Sequence, residues 1–557
     1  MKLKLEKREW LYAGVFTLLF AFLCWRLYPI MFAVHDDMYM YTISREGHVF
    51  ATGFAHAKAG RIAQLWNYPL LVLPFLADSV WFYKLLSYAC TLFDLWALFV
   101  LLDRHVSRDA AWLTVISCTA FATISMHHNL FISYAVCHQL PAGLFFLALH
   151  CFLTYLHSAR RRDMVLCCVL YLISCMIYET FLMDMLVLLA AAIWVKSREN
   201  KGFWRFCRDV LGAVLPPLIC ALCYVAVYKL WQLKYPSSYT GTSLYLDEPF
   251  YSLRILWEFS LSLLPFHANA ATDYALSPEE LLHTLTPVRA VKALLVTAVF
   301  VLTVKRASHG AKHRGMLLVM TAAVFAPNIL IAFSQKYVES AKRNIITYIP
   351  SFYSFLAAAA VLCIGCAAVY RLIGRGNLRV LFLAGTGAVV CIASLLSDYN
   401  IGYWQAYYKK LDQRYANFAH AVASPAVTQC DSTWEIYAPD SSGIHYNEPY
   451  TLRFLALYDD TPAGGFVLTA DAIDHSRSVL CLRADAEYRV MTAARVDSLL
   501  RADELTVLTT MPGTFDVTVR LRSGEELTFP DVSDGSVLTA PEDTPFDMRA
   551  RCSVRLK

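Results

Sequence analysis

Charge is what this sequence has least of. Asp, Glu, Lys and Arg make up 17% of its 557 residues and hydrophobic types 57%, where a soluble globular chain carries about 25% charged residues. That excludes an ordinary soluble protein. Short catalytic and nucleotide motifs are missing as well. There is no phosphate-cradling P-loop, no Gly-rich dinucleotide fingerprint after a strand and no His-Glu-x-x-His, so no soluble nucleotide has a recognisable binding motif. Cysteine offers no framework either. Of 17 Cys, 14 precede residue 398, mostly inside apolar runs, where the thiol behaves as a small hydrophobe. The remaining three, Cys430, Cys481 and Cys552, have no metal-ligand spacing and allow at most one disulfide.

What the chain has instead is apolar runs of spanning length, about 17–25 residues. Eleven fit: 10–33, 80–102, 110–126, 138–157, 164–178, 180–195, 209–231, 288–304, 316–333, 347–370 and 379–396. The fifth and sixth are short and suit tilted or re-entrant segments. The expected fold is an all-α polytopic membrane domain of about 11 transmembrane helices over residues 1–396. A small extracytoplasmic α/β or β-rich domain follows over 397–557. In that tail the segments beginning at Thr433, Thr451, Gly465, Ser478, Thr506 and Phe515 alternate in the manner of short strands. Trp404 to Val422 reads as a helix leaving the membrane.

The charge balance changes at the same boundary. Residues 398–557 hold 15 Lys and Arg against 23 Asp and Glu, a net of −8, which leaves +13 on the membrane part. Those cations gather in alternate short loops, 103–108, 160–162, 196–208, 305–314 and 371–379. That pattern reads as topology rather than nucleic-acid binding. With Lys2, Lys4, Lys7 and Arg8 it puts the N-terminus, a retained signal anchor, in the cytoplasm and the tail outside. The region 36–68, the loop 232–287 and the segment 334–346 then share the outer face with the tail. Residues 40–68 and 251–265 are amphipathic and suited to lying in the interface plane. No internal repeat is present, which withholds support from the inverted-repeat architecture of secondary transporters.

Asp36 and Asp37 stand where the first apolar run ends. Adjacent carboxylates at the edge of a low-dielectric region repel, and are costly to desolvate. One near a hydroxyl could act as general base; equally, the pair could cap the next helix. His35-Asp36-Asp37-Met-Tyr-Met-Tyr41, an amphipathic outer loop ending in Gly60-Arg61, and Lys342-Arg343 before the span opening at Ile345 and Pro350 together resemble the GT-C class of integral-membrane glycosyltransferases. Among these are the mannosyl- and aminoarabinose-transferase types and the bacterial O-antigen glucosyltransferases.

The resemblance covers roughly residues 10–396 and implies an inner-membrane enzyme. It would transfer a hexose or pentose from a polyprenyl-phosphate sugar donor to a glycan, lipid or protein acceptor on the outer face of the membrane, and act in cell-envelope polysaccharide assembly. It implies Asp36 as catalytic base with Asp37 assisting or holding a cation. Mg²⁺ or Mn²⁺ is left open, and nucleic acid has no part. Arg343 stands at the family's phosphate-contacting Arg, although Asn344 replaces the usual Tyr; Lys336 and Lys342 are near in sequence. Apart from the resemblance, a guanidinium there could hold a phosphate bidentately or simply anchor the span end.

Lys58 and Arg61 could bind phosphate or lipid headgroups. Glu179, an acid in apolar surroundings, could contact sugar hydroxyls or pair with an Arg. His127, His128 and His138 suit substrate hydrogen bonding or packing better than a metal shell. Asp94, Asp163 and Asp184 lie in or beside spans and carry no assigned chemistry. The alternatives to a glycosyltransferase are a flippase or transporter of lipid-linked glycan and a membrane anchor displaying a binding tail.

Overall fold

The computed structural model describes residues 7–556 except 33, 126–127, 200–201, 238, 271–285, 309–312, 374–375, 440–453, 455–456, 459–466, 470–472 and 475. Lys2, Lys4 and His127 therefore lie outside the described residues. The chain forms two compact units, Met1–Trp404 and Gln405–Lys557.

The first unit is helical. In chain order its helices are α1 (Lys7–Leu27), α2 (His35–Glu46), α3 (Val49–Lys58), α4 (Gln64–Val72), α5 (Val80–His105), α6 (Arg108–Ala120), α7 (Leu140–Ser158), α8 (Arg161–Ile177) and α9 (Met185–Lys196). There follow α10 (Phe203–Lys234), α11 (Pro249–Leu261), α12 (Pro265–Ala270), α13 (Pro287–Ala307), α14 (His313–Phe325), α15 (Ile329–Ala332), α16 (Gln335–Ala341), α17 (Ile349–Leu372) and α18 (Asn377–Ala423). Among the described residues nine helical stretches are long and apolar enough to cross a membrane: 8–27, 80–105, 140–158, 179–199, 203–234, 287–307, 315–332, 349–372 and 377–423. The unit is a polytopic membrane domain.

Two of the eleven expected spans fall short. α6 has 13 residues and α8 has 17, or about 20 and 26 Å at 1.5 Å per residue, against a hydrocarbon core of about 30 Å. α6 packs among α1, α5, α13 and α17, so its apolar character serves the protein interior rather than lipid. The first span also stops sooner than its hydropathy suggests, at Leu27 with Pro29 just beyond. Proline disfavours helix in the residue before it. Pro327 has a similar effect on the span at 315–332, where α14 gives way to a 3-10 turn, Ala326–Asn328, before α15.

The amphipathic segments form α2 to α4 and α11, none of spanning length. Their exposed apolar residues fall at helical spacing: Phe50 and Phe54 on α3, and Phe250, Leu253 and Trp257 on α11. Such faces suit an interfacial position.

The last expected span and the expected helix at 404–422 are one helix, α18, of 47 residues. Hydropathy drops near residue 396 but no helix breaker stands there. Within the second unit the end of α18 packs on the sheet. Asn417 Nδ2 donates to the carbonyls of Tyr488 and Arg489, and its Oδ1 accepts from Thr510 N.

Among the described residues eleven strands follow: β1 (Trp434–Tyr437), β2 (Val467–Thr469), β3 (Ser478–Ala484), β4 (Met491–Val496), β5 (Arg501–Ala502), β6 (Glu504–Leu508), β7 (Phe515–Arg520), β8 (Glu526–Val532), β9 (Val537–Thr539), β10 (Phe546–Asp547) and β11 (Ser553–Leu556). They make a six-stranded sheet in the order β2-β1-β3-β4-β6-β9, a three-stranded sheet β11-β7-β8 and the pair β10-β5. β1 runs parallel to β2 and β3, and the other pairings are antiparallel. Cys481, Val507, Phe515, Val517 and Phe546 are central to the core. The strand expected at 451–458 falls mostly outside the described residues, and Phe454, Leu457 and Tyr458 within it are helical.

Candidate active site

Two acids begin α2. Its N-cap, Val34, is extended, with no side-chain cap, so Asp36 and Asp37 sit in the first turn, where the helix dipole favours carboxylates. Beneath them Lys84, itself buried, donates to the carbonyls of Leu27 and Ile30. This satisfies acceptors left open where α1 ends and fixes the turn into α2.

The two neighbours occupy different environments. Asp37 is 3% exposed, and both its oxygens are engaged, by Tyr83 Oη at 3.1 Å and Tyr134 N at 3.1 Å. Burial pushes its carboxyl up to about 7, outweighing the lowering effect of those two hydrogen bonds. Asp36 is exposed. Its Oδ2 accepts from Tyr134 Oη at 2.5 Å, and its other oxygen has no hydrogen-bond partner among the described residues.

Tyr134 thus holds both acids, one through its backbone and one through its hydroxyl. That hydroxyl also lies 2.5 Å from His128 Nδ1. A phenol has one proton to give. If it donates to Asp36, His128 must present Nδ1–H to the phenol oxygen, and the three groups form a directed chain ending on the carboxylate.

The loop carrying Tyr134 is strained. Tyr134 and Val136 have φ of 53° and 71°, and a β-branched residue in that region is a genuine outlier. Such strain persists only where the surroundings over-determine it. Here they do: buried Gln139 donates to Leu130 O, Ser87 Oγ and Thr91 Oγ1, and accepts from Val136 N.

Next to this cluster lies a cavity of ≈ 300 Å³, lined by Arg61, Glu179, Tyr178, Tyr224, Tyr228, Tyr239 and Tyr337 among others, with Leu182, Leu244, Leu330 and Ile331 as apolar wall. Two aromatic bridges join it to the acids. His138 packs on Tyr134 at 5.4 Å and on Tyr178 at 5.0 Å, while His128 stacks on Tyr348 at 5.2 Å, which meets Tyr337 at 4.7 Å. Burial lowers the His138 imidazole to about 4, against the raising effect of Asp36, so it is neutral at physiological pH.

Arg61 enters the cavity from the turn after α3. Gly60 has φ +86°, and a Cβ there would lie 2.5 Å from Ser237 Cβ, so only glycine lets the two segments approach. Trp231 Nε1 donating to Ala57 O at 2.7 Å and Asn67 Nδ2 to Ile177 O at 2.9 Å lock this layer to α10 and α8. The Arg61 guanidinium stacks on Tyr239 at 4.7 Å. Lys336 lies over the same ring at 4.8 Å and donates to its hydroxyl at 3.1 Å.

Of the sequence candidates, Asp36, Asp37 and His128 gather around Tyr134, Arg61 and Glu179 line the cavity, and Lys336 meets the ring of Tyr239 in its wall. The other three stand apart. Lys342 pairs with Glu248 at 2.8 Å on the surface. Lys58 is exposed over Phe54 of its own helix. Arg343 is exposed, in a turn closed by Asn344 at φ 61°, with no side-chain hydrogen bond or ion pair among the described residues. Asp94 accepts from Gly143 N at 2.8 Å inside the helical unit. Among the described residues no group of three or more His, Cys, Asp or Glu is arranged to hold a metal ion. The tyrosines escape a sequence reading, since nothing local distinguishes Tyr134, Tyr178, Tyr239, Tyr337 or Tyr348 among 32.

Fold and site together define a polytopic membrane protein with an acid pair beside a tyrosine-walled, cation-bearing cavity. No family model and no curated protein matches the sequence. Solved structures are similar to it, two of them of one protein. The crystal structure of ArnT from Cupriavidus metallidurans bound to undecaprenyl phosphate is 14% identical with a TM-score of 0.41, over 87% of this chain and 94% of that one. The apo state of the same protein is 15% identical with a TM-score of 0.36, over 86% and 93%.

Proposed function

We propose that this protein is a GT-C-like membrane glycosyltransferase that moves a sugar from a polyprenyl-phosphate carrier to an acceptor hydroxyl on the outer face of the inner membrane. One observation carries the reading. An exposed carboxylate, Asp36, is held through a single oxygen by Tyr134 and is joined by aromatic contacts to a cavity containing Arg61 and Glu179.

In this mechanism the free oxygen of Asp36 takes the acceptor proton as the acceptor oxygen bonds to the anomeric carbon. The bond from that carbon to the phosphate oxygen breaks, and the lipid phosphate leaves with the electron pair. A single displacement inverts the anomeric centre. Asp37, buried and fully hydrogen-bonded, positions the start of α2. Arg61 and Lys336 neutralise the leaving phosphate; Glu179 and His128 contact sugar hydroxyls. The exposed cations Arg343, Lys58 and Lys342 draw the anionic headgroup to the site. The apolar wall takes the first isoprene units.

The test supplies purified protein with polyprenyl-phosphate sugars of several kinds and measures free lipid phosphate for wild type and Asp36→Asn. Turnover that the substitution abolishes supports the mechanism, and unchanged turnover removes Asp36 as base. No turnover with any donor, together with lipid movement across liposomes, would establish the flippase instead.

A further inference from the structure

The second unit has a cavity of its own. Trp434 opens β1, Ser478 opens β3, and β4 ends at Val496. β1 and β3 are parallel, pairing Trp434 with Ser478, while β4 is antiparallel, pairing Val479 with Val496. These residues therefore meet at one end of the sheet. There they border an open cleft of ≈ 260 Å³ lined by Trp434, Arg477, Ser478, Arg495, Asp497 and Ser498 among others. That is just below the ~300–1,000 Å³ of small-molecule sites, room for one sugar ring rather than a chain.

The charges around this cavity are uneven. Asp497 is bound by Arg501, with Nε to Oδ2 at 2.6 Å. Arg477 leans on Asp474 at 3.6 Å and donates to Ser432 O at 3.2 Å. The Arg495 side chain has no ion pair or hydrogen bond among the described residues. Its guanidinium lies over the Trp434 ring at 5.0 Å, which orients the planar fork while leaving its N–H edge unused. A guanidinium without a carboxylate partner is conspicuous in a tail of net charge −8.

We infer that this cavity binds a monosaccharide unit bearing a carboxylate or a phosphate. The anion sits on the Arg495 fork in bidentate fashion, the sugar ring packs against the indole edge, and the hydroxyls of Ser478 and Ser498 meet its ring hydroxyls. The inference stands apart from the transfer reaction, because it concerns binding in the second unit alone.

The test is titration calorimetry on the full chain in detergent with four probes: glucuronic acid, glucose 6-phosphate, glucose and inorganic phosphate. At least one acidic sugar should bind, at least about tenfold more tightly than glucose, and Arg495→Met and Trp434→Ala should each weaken it by about tenfold. Arg495→Lys keeps the charge without the fork and should fall between wild type and Arg495→Met, which separates recognition from misfolding. Preference for glucuronic acid or glucose 6-phosphate identifies the anion. The inference is overturned if neither acidic sugar binds, if glucose binds as tightly, if inorganic phosphate alone matches glucose 6-phosphate, or if Arg495→Met changes nothing.

Discussion

Asp37→Asn should make the protein more stable at alkaline pH and nearly neutral in effect at acid pH. In the folded protein burial lifts the Asp37 carboxyl from 3.8 to about 7; in the unfolded chain it ionises near its ordinary value. Between those values the folded state keeps a proton that the unfolded chain has released. The stability tied to this group is therefore fully present below the unfolded value and is lost as pH rises through 7. A gap of about 3 units at about 1.4 kcal/mol each sets an upper bound of about 4 kcal/mol.

Asparagine has the same shape and never ionises. Its oxygen accepts from Tyr134 N, and its amide can donate to Tyr83 Oη, so the two native contacts survive with one reversed. Below pH 4 wild type and variant should melt together, and at pH 5 the variant should already melt higher by about 1–2 °C. At pH 8 the variant should melt higher by about 3–6 °C, given the small shift per kcal/mol in a chain of this size. Intrinsic-fluorescence melting in detergent from below pH 4 to pH 8 reads this directly. Parallel curves, or a variant less stable than wild type at pH 8, would refute the burial argument and leave Asp37 as an ordinary ionised helix-start residue.

Other outcomes follow from single contacts. Tyr134→Phe removes the hydroxyl between Asp36 and His128; a hydrogen bond to a charged group is worth about 1.5–3 kcal/mol, so kcat should fall about ten- to a hundredfold while KM for the lipid donor stays near wild type. A fall confined to KM would place Tyr134 in donor binding instead. Gly60→Ala forces a Cβ onto Ser237 at 2.5 Å in a left-handed conformation and should cost about 1–3 kcal/mol, lowering the melting temperature; an unchanged melt would show that the turn yields freely. Lys292 pairs with buried Asp398 at 2.9 Å. Breaking such a pair costs about 3–5 kcal/mol, here nearer the low end because Arg26 remains 3.7 Å away. Lys292→Met should melt well below wild type, and adding Asp398→Asn should restore part of the loss; a double variant worse than the single would contradict the assignment.

The apolar runs, the change of character near residue 398 and the acid pair at the end of the first run are all properties of the linear chain. Solvation acts on each segment by itself: a run of about twenty apolar residues seeks hydrocarbon whatever its neighbours do, and carboxylates stand out against it. The tail strands β1, β2, β3, β6 and β7 were legible for a similar reason, because alternation is local. Span lengths were less so. α6 is as apolar as a span because it is wrapped by other helices, and α18 continues past its hydropathic end because residues 397–403 contain no proline and the single Gly402 is tolerated within the helix.

The site itself was decided by distance along the chain. Asp36 and Asp37 are neighbours in sequence, yet Asp37 is buried against Tyr83 and the backbone of Tyr134, 97 residues on, while Asp36 stays exposed and meets only the Tyr134 hydroxyl. Arg61, Lys336 and Arg343 look alike as isolated cations; stacking on Tyr239 singles out the first two. Hydropathy and charge are sums over near neighbours and survive being read in one dimension. Desolvation of one carboxylate, the strained turn that aims a tyrosine and the convergence of two cations on one ring depend on which surfaces meet. Only the folded chain determines that.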